Sequence, residues 1–236
     1  MFHINTVPGR IPPYTVTMIS AFLLGIGLLY LLNRRDKIPK QIAGFLLILA
    51  PVMILFHAIG MTYLTSHGTQ FGPSSMGALI GMYLSAIVMG LICGDLKMMR
   101  KLLENCTSIL PLMYAVSKSG CFFAGCCRGI PYDGAFSVIY TDGETVQPAA
   151  FPVQLLESLI FLLIFLLGML LRKKGRGGSV WIVFLTAAAA KGLLDFLRAE
   201  HQGKLLSLNQ ILCIGLIGFG TIRLIGNYTK QKRAAS

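Results

Sequence analysis

Ser117-Lys-Ser-Gly-Cys-Phe-Phe-Ala-Gly-Cys-Cys-Arg-Gly129 is the stretch on which the reading of this chain turns. It places three glycines, three cysteines and two cations within thirteen residues, and the sequence on either side of it is strongly apolar. Cations at membrane depth are costly and mark functional positions more often than lipid-facing surface. Glycines let the backbone turn sharply and approach a ligand closely. The stretch is therefore expected to interrupt a series of membrane spans and to form the floor of a site for an anionic, lipid-borne ligand.

Composition supports the membrane setting. Of 236 residues, 55% are hydrophobic and only 13% are charged, about half the charged share of an ordinary soluble domain. Mean hydropathy is +0.71. The net charge of +12 does not imply nucleic acid, because the basic residues fall in short clusters between apolar spans rather than on one face of a soluble fold. Met1–Pro13 lacks a basic region followed by an apolar core, so no secretory signal peptide is expected and the first apolar run reads as a permanent span.

Working outward, seven stretches approach the length of about 20 apolar residues needed to cross a bilayer. They run from about 14 to 32, 41 to 64, 77 to 93, 102 to 117, 152 to 171, 180 to 197 and 208 to 225. The fourth is short and polar. Basic clusters at Arg34–Lys40, Lys97–Lys101, Arg172–Arg176 and Lys230–Arg233 fall on one side of this arrangement, whereas Arg10, Lys118, Arg128, Arg198 and Lys204 fall on the other. The cytoplasmic loops of membrane proteins carry the excess of Lys and Arg. The expected fold is thus an all-α integral membrane protein, a single polytopic domain over 1–236. It is a seven-helix bundle with the N-terminus outside, the C-terminus inside and a small external loop region from 130 to 151. Pro131-Tyr-Asp-Gly134 and Thr141-Asp-Gly143 are turn signals, and the run Ala135–Tyr140 between them reads as one strand of a small hairpin.

Several constellations could carry chemistry. Lys191, Asp195 and Arg198 are spaced by four and three, which on a continuous helix gives one face. Either this is an ion-pair ladder near the interface, or it is a cation pair held by a carboxylate and aimed into the bundle. Pro152 suits a helix start, and Gln154 and Glu157 share a face behind it. Glu157 is either a carboxylate at a helix N-terminus or a buried member of the site. Cys121, Cys126 and Cys127 are open to three readings: small apolar packing, a Cys121 bridge to Cys126 or Cys127, and a metal site. The last is disfavoured because no second cysteine pair or histidine pair accompanies them. His57 and His67 flank the outer end of the second span, and His57 is the candidate base. Gly72-Pro-Ser-Ser-Met-Gly77 and Gly81 mark either close helix packing or the approach of a lipid head group.

The order and content of these motifs resemble the prolipoprotein diacylglyceryl transferase family of bacterial inner membranes. That family's Gly-Arg-x-Gly-Asn-Phe signature, followed by Glu-x-x-Gly, is similar to Ser117-Lys118-Ser119-Gly120-Cys121-Phe122 and then Cys126-Cys127-Arg128-Gly129. Its Pro-x-Gln-Leu-Tyr-Glu motif resembles Pro152-Val-Gln154-Leu-Leu-Glu157. Its late Arg-x-x-x-Glu-Phe-x-Arg motif resembles Lys191-Gly-Leu-Leu-Asp195-Phe-Leu-Arg198, and its early tyrosine is matched by Tyr14. The chain departs from the pattern with lysine for arginine at 118 and 191, and with Cys121 for asparagine, Cys126 for glutamate and Asp195 for glutamate. Met76 falls where the family has histidine. Lysine is a point charge where arginine offers a planar fork.

The resemblance implies transfer of a diacylglyceryl group from phosphatidylglycerol, or a similar anionic phospholipid, to the cysteine thiol of a lipoprotein precursor peptide. The active face would lie outside the inner membrane, and no cofactor is implied. Lys118, Lys191, Asp195, Glu157 and His57 are then the catalytic candidates. Arg198, Arg128, Gly120, Cys121, Gln154 and Tyr14 are the substrate-binding candidates. Two other readings stand beside this one: a lipid-binding accessory protein without catalysis, and a thiol-redox membrane protein using the three clustered cysteines.

Overall fold

A computed structural model describes residues 2–6, 13–69, 72–142, 145–174, 179–201, 203 and 205–235. Arg10, Gly143, Arg176 and Lys204, used above for orientation and turns, lie outside the described residues, as do the side chains of Lys230, Lys232 and Arg233. Seven α-helices are present among the described residues: α1 (Pro13–Arg35), α2 (Lys40–Thr65), α3 (Ser75–Ile92), α4 (Leu96–Ala124), α5 (Val153–Lys173), α6 (Ser179–Asp195) and α7 (Leu208–Ala235). Three short strands accompany them: β1 (Phe2–Thr6), β2 (Val138–Asp142) and β3 (Thr145–Val146). Five helices are long and apolar enough to span a membrane, namely α1, α2, α3, α5 and α7. Their outward faces are apolar: Leu23 is 70% exposed, Phe56 72% and Ile222 72%. That is the surface lipid requires, since helices satisfy their own backbone polar groups internally. The remaining two, α4 and α6, carry Lys118, Lys191 and Asp195 on buried positions.

The chain divides into two compact units, Phe22–Met113 and the pair Met1–Ala21 with Tyr114–Ser236. In the first unit, α2 and α3 pack closely because α3 offers glycines to the backbone of α2. A Cβ at Gly77 would collide with the His57 carbonyl oxygen, and one at Gly81 with that of Met53. Both contacts are with main chain, so this glycine-rich entry serves helix packing of the small-residue kind. Ser74 caps α3, its Oγ accepting from Gly77 N at 3.4 Å, and Met76 is buried. Asn105 Nδ2 donates to Asn33 Oδ1 at 2.8 Å between fully buried side chains.

In the second unit, the structure corrects the expected fold in three places. First, α4 does not end near Ser117 but runs to Ala124, so Lys118, Gly120 and Cys121 are helical. Gly120 is required because α1 crosses it: a Cβ there would collide with Thr17 Oγ1. The turn falls instead at Gly125, with φ +66°. There Cys126 N donates to Cys121 O at 3.2 Å and Gly125 N to Phe122 O at 3.3 Å, the paired bonds of a Schellman C-terminus. Second, α6 stops at Asp195, so Arg198 is not on its face. Residues 197–199 leave the helix to pair with 128–130: Ile130 N donates to Leu197 O and Ala199 N to Arg128 O, both at 3.0 Å. Phe151 N closes the other side on Ile130 O at 3.0 Å. Third, the expected hairpin strand begins at Val138 rather than Ala135. Besides pairing antiparallel with β3 it pairs in parallel with β1, from Phe2 opposite Val138 to Thr6 opposite Asp142. A purely helical description therefore omits a small mixed sheet. Phe122 at the end of α4 packs on Val138 and Tyr140 of that sheet, with Ile4 against them.

Candidate functional site

Four segments of the second unit converge on one hydroxyl. Tyr114 lies one helical turn before Lys118 on α4, so the two side chains share a face. Tyr114 OH donates to Glu157 Oε1 on α5 at 3.0 Å. The same hydroxyl accepts from Lys191 Nζ on α6 at 3.1 Å and from Arg198 Nη2 at 3.2 Å. Arg198 Nη2 also donates to Glu157 Oε1 at 2.6 Å. Lys118 Nζ stands 3.1 Å from Glu157 Oε2, a close ion pair rather than an aligned hydrogen bond. The Tyr114 ring completes the cradle, with Lys191 Nζ 4.6 Å and Lys118 Nζ 5.2 Å from its centre and the Phe161 ring tilted against it at 4.3 Å. Cations over an aromatic face gain most where water is excluded. Lys118, Lys191 and Arg198 are buried, and Glu157 is fully so.

Asp195 holds the second layer. Ser207 Oγ donates to its Oδ2 in a short hydrogen bond, and Asn209 Nδ2 lies 3.4 Å from Oδ1. Arg198 Nε and His201 Nδ1 stand 3.8 Å and 3.9 Å from its carboxylate. Three cations thus face two carboxylates in a buried region. Charges at such positions persist only when paired and hydrogen-bonded, and the excess of positive charge is what an anionic group would meet there.

The other sequence candidates have different placements. Gln154 is buried and donates from Nε2 to Cys126 O at 2.8 Å, pinning the turn after α4. Gly120 gives α1 its approach, and Tyr14 lies on the same contact, its Cα 3.3 Å from a Cβ built at Gly120. Arg128 is engaged by the segment between α4 and α5, its Nη1 donating to Gln147 Oε1 at 2.9 Å. His57 belongs to the first unit, where its Nδ1 donates to the Met53 carbonyl oxygen at 2.8 Å and its ring packs edge-on against Phe56. Sequence reasoning missed Tyr114, and also Ser207, Asn209 and His201 around Asp195. The one available signal for Tyr114 was its spacing of four from Lys118.

Three of the six cysteines are gathered in one place. Cys121 is buried in the last turn of α4, Cys126 is accessible and Cys127 is half-buried. Their three Sγ atoms lie within 4.8 Å of one another, and none is in a disulfide. Cys127 takes φ +53°, a left-handed backbone that costs a non-glycine residue about 1–2 kcal/mol. Its thiol is held below the usual thiol range by hydrogen bonds from Cys121 and Cys126, with Lys118 and Arg198 adding to the effect against its burial.

Apolar helices carrying an interior group of cations, carboxylates and a tyrosine define a multi-pass membrane protein with a buried polar centre. A sequence profile described as prolipoprotein diacylglyceryl transferase matches residues 1–225. The chain belongs to that family. It is 28% identical over 151 residues to a phosphatidylglycerol–prolipoprotein diacylglyceryl transferase of Clostridium tetani, covering 61% of this chain and 59% of that protein. It is 26% identical over 177 residues to the protein of the same name in Dehalococcoides mccartyi, covering 72% of this chain and 66% of that one. A second such transferase of Clostridium perfringens is 26% identical over 166 residues, with 66% and 62% covered. The chain spans about three-fifths to two-thirds of the length of these curated relatives.

Proposed function

We propose that this protein transfers a diacylglyceryl group from phosphatidylglycerol to a cysteine thiol of a lipoprotein precursor. The observation that carries the reading is the convergence of Lys118, Lys191 and Arg198 on Tyr114 and Glu157 within one buried centre. These cations come from three separate segments, and each is the counterpart of a basic residue in the family's motifs. In the proposed reaction the acceptor thiol gives its proton to solvent and attacks the glyceryl carbon of the lipid as thiolate; a C–S bond forms and the C–O bond to phosphate breaks. Glycerol phosphate then departs with the bonding electrons. Charge builds on the phosphate oxygens, and donors already aimed at that charge lower the barrier. Tyr114 and Glu157 hold the three cations together and oriented before the lipid arrives, and Asp195 helps to orient Arg198 through the 3.8 Å contact with Nε.

The remaining topology belongs to the same proposal: seven spans in the bacterial inner membrane, α4 and α6 included. The N-terminus and the reacting face are outside and the C-terminus is inside. It rests on the side-to-side asymmetry of Lys and Arg. A reporter fused behind the last residue is expected to read cytoplasm, and a periplasmic signal there would reverse the assignment. The chemical test compares co-purified phosphatidylglycerol and transfer to a cysteine-bearing precursor peptide in the wild type and in the Lys118→Ala, Lys191→Ala pair. Lipid content and transfer are both expected to fall at least tenfold. Equal lipid content and equal transfer would make these lysines ordinary buried charges and sink the reading.

A further inference from the structure

The transfer chemistry makes no use of Cys121, Cys126 and Cys127, yet the fold spends considerable constraint on bringing them together. The Schellman turn at Gly125 reverses the chain directly after the helix that carries Cys121. The ring of Tyr140 fixes that turn, standing 2.9 Å from where a Gly125 Cβ would lie. Gln154, itself buried, clamps the carbonyl of Cys126, and the left-handed Cys127 swings its sulfur back toward the other two. Mere packing of small side chains needs none of this. A disulfide would use only two of the three sulfurs, and the adjacent pair is poorly placed to bridge itself.

Three sulfurs at mutual distances of up to 4.8 Å are close to the spacing a single ion imposes. Bonds of about 2.3 Å from a zinc-type ion to thiolate sulfur put the sulfurs roughly 3.8–4.0 Å apart. The contraction required is within the reach of side-chain rotation at two loop positions. Soft thiolate ligands select zinc-type and monovalent copper ions. A site with three protein ligands keeps a fourth position for a reactant, and the accessible side here is that of Cys126. Lys118 precedes Cys121 by three positions and so lies on the same face of α4, which sets the thiol group beside the cation centre.

We propose that Cys121, Cys126 and Cys127 form a three-thiolate site for a zinc-type ion, with its fourth position open to the thiol of the acceptor substrate. The identity of the fourth ligand rests on the proposed transfer activity; the three-sulfur site does not. On binding the ion the three thiols release their protons to solvent. An acceptor thiol entering the fourth position does the same and is held as thiolate, the nucleophilic form. The absence of a second cysteine pair, which argued against metal in the sequence, is then what leaves the fourth position free.

The test uses the full chain in detergent micelles, reduced and freed of metal, then titrated with Zn(II) and, as a spectroscopic probe, Co(II). One ion per chain is expected, together with a thiolate-to-cobalt charge-transfer band. Cys126→Ser and Cys127→Gly should each lose the band and weaken Zn(II) binding at least a hundredfold. The glycine keeps the left-handed backbone, so a folding defect does not explain its loss. Cys93→Ser, in the other unit, should change neither. No charge-transfer band in the wild type, binding untouched in both cluster variants, or an intact mass showing two of the three cysteines joined in the purified protein would each overturn the site. A peptide with one cysteine should shift the cobalt spectrum and its serine counterpart should not; identical spectra with both would remove the acceptor from the fourth position. Transfer is scored separately. A cobalt site without any lipid transfer refutes the transfer reading alone, and transfer that proceeds equally in Cys126→Ser, which lacks the band, removes the acceptor from the fourth position while leaving the three-sulfur site standing.

Discussion

Replacing Glu157 by glutamine removes one charge and almost no volume, and the geometry around it sets the cost. The carboxylate is fully buried and faces Arg198 Nη2 at 2.6 Å through Oε1 and Lys118 Nζ at 3.1 Å through Oε2. Glutamine can keep its carbonyl oxygen toward Arg198 and Tyr114. Its amide then points two N–H donors at the Lys118 ammonium, which loses its counter-charge. Removing one partner of a buried ion pair costs about 3–5 kcal/mol. Because half of the contacts survive, the lower end applies, about 3 kcal/mol, or roughly a hundredfold in the folding equilibrium. Reversible unfolding in mixed micelles measures it. The same argument predicts an asymmetry. The lipid phosphate supplies a negative charge where the carboxylate charge is missing, so phosphatidylglycerol should stabilise Glu157→Gln more than it stabilises the wild type, whereas zwitterionic phosphatidylcholine should treat the two alike. A loss below about 1 kcal/mol, the range of exposed pairs, would show that the carboxylate does not hold buried cations. Equal responses to the two lipids would show that the centre does not read anionic head groups.

Two more substitutions probe the same unit. Tyr114→Phe keeps the ring beneath Lys118 and Lys191 but deletes the hydroxyl that both Lys191 and Arg198 reach. Leaving buried charged donors short of an acceptor costs about 1–3 kcal/mol, so transfer is expected to fall roughly ten- to a hundredfold while the protein remains folded by circular dichroism. Unchanged transfer would demote the tyrosine to packing. Gly120→Ala should lower thermal stability by about 1–3 kcal/mol through overpacking, because its Cβ would collide with Thr17 Oγ1. Adding Thr17→Ala should recover part of the loss, and a double mutant no better than the single one would refute this crossing of α1 over α4.

What the sequence determined by itself was whatever depends on near neighbours. Apolar runs of sufficient length located the helices, since spanning depends on composition over some twenty consecutive residues. Pro152 opened α5 beside Gln154 and Glu157, and the family motifs singled out Lys118, Glu157, Lys191, Asp195 and Arg198. What only the tertiary structure decided was where helices stop and which distant groups meet. Local pattern would carry α6 through Arg198. The chain leaves the helix at Asp195 because residues 197–199 find better hydrogen-bond partners at 128–130, some seventy positions away. Local pattern also ended the fourth span near Ser117, whereas the helix runs on through Gly120, whose missing side chain leaves the space that α1 occupies. Tyr114 carries no signal beyond its spacing of four from Lys118. It becomes the hub only when α5, α6 and the segment after α6 bring a carboxylate and two cations to its hydroxyl. Spacing in the chain could not say that three cysteines would meet, because a left-handed residue and a buried glutamine clamp, not the interval between them, set their distance.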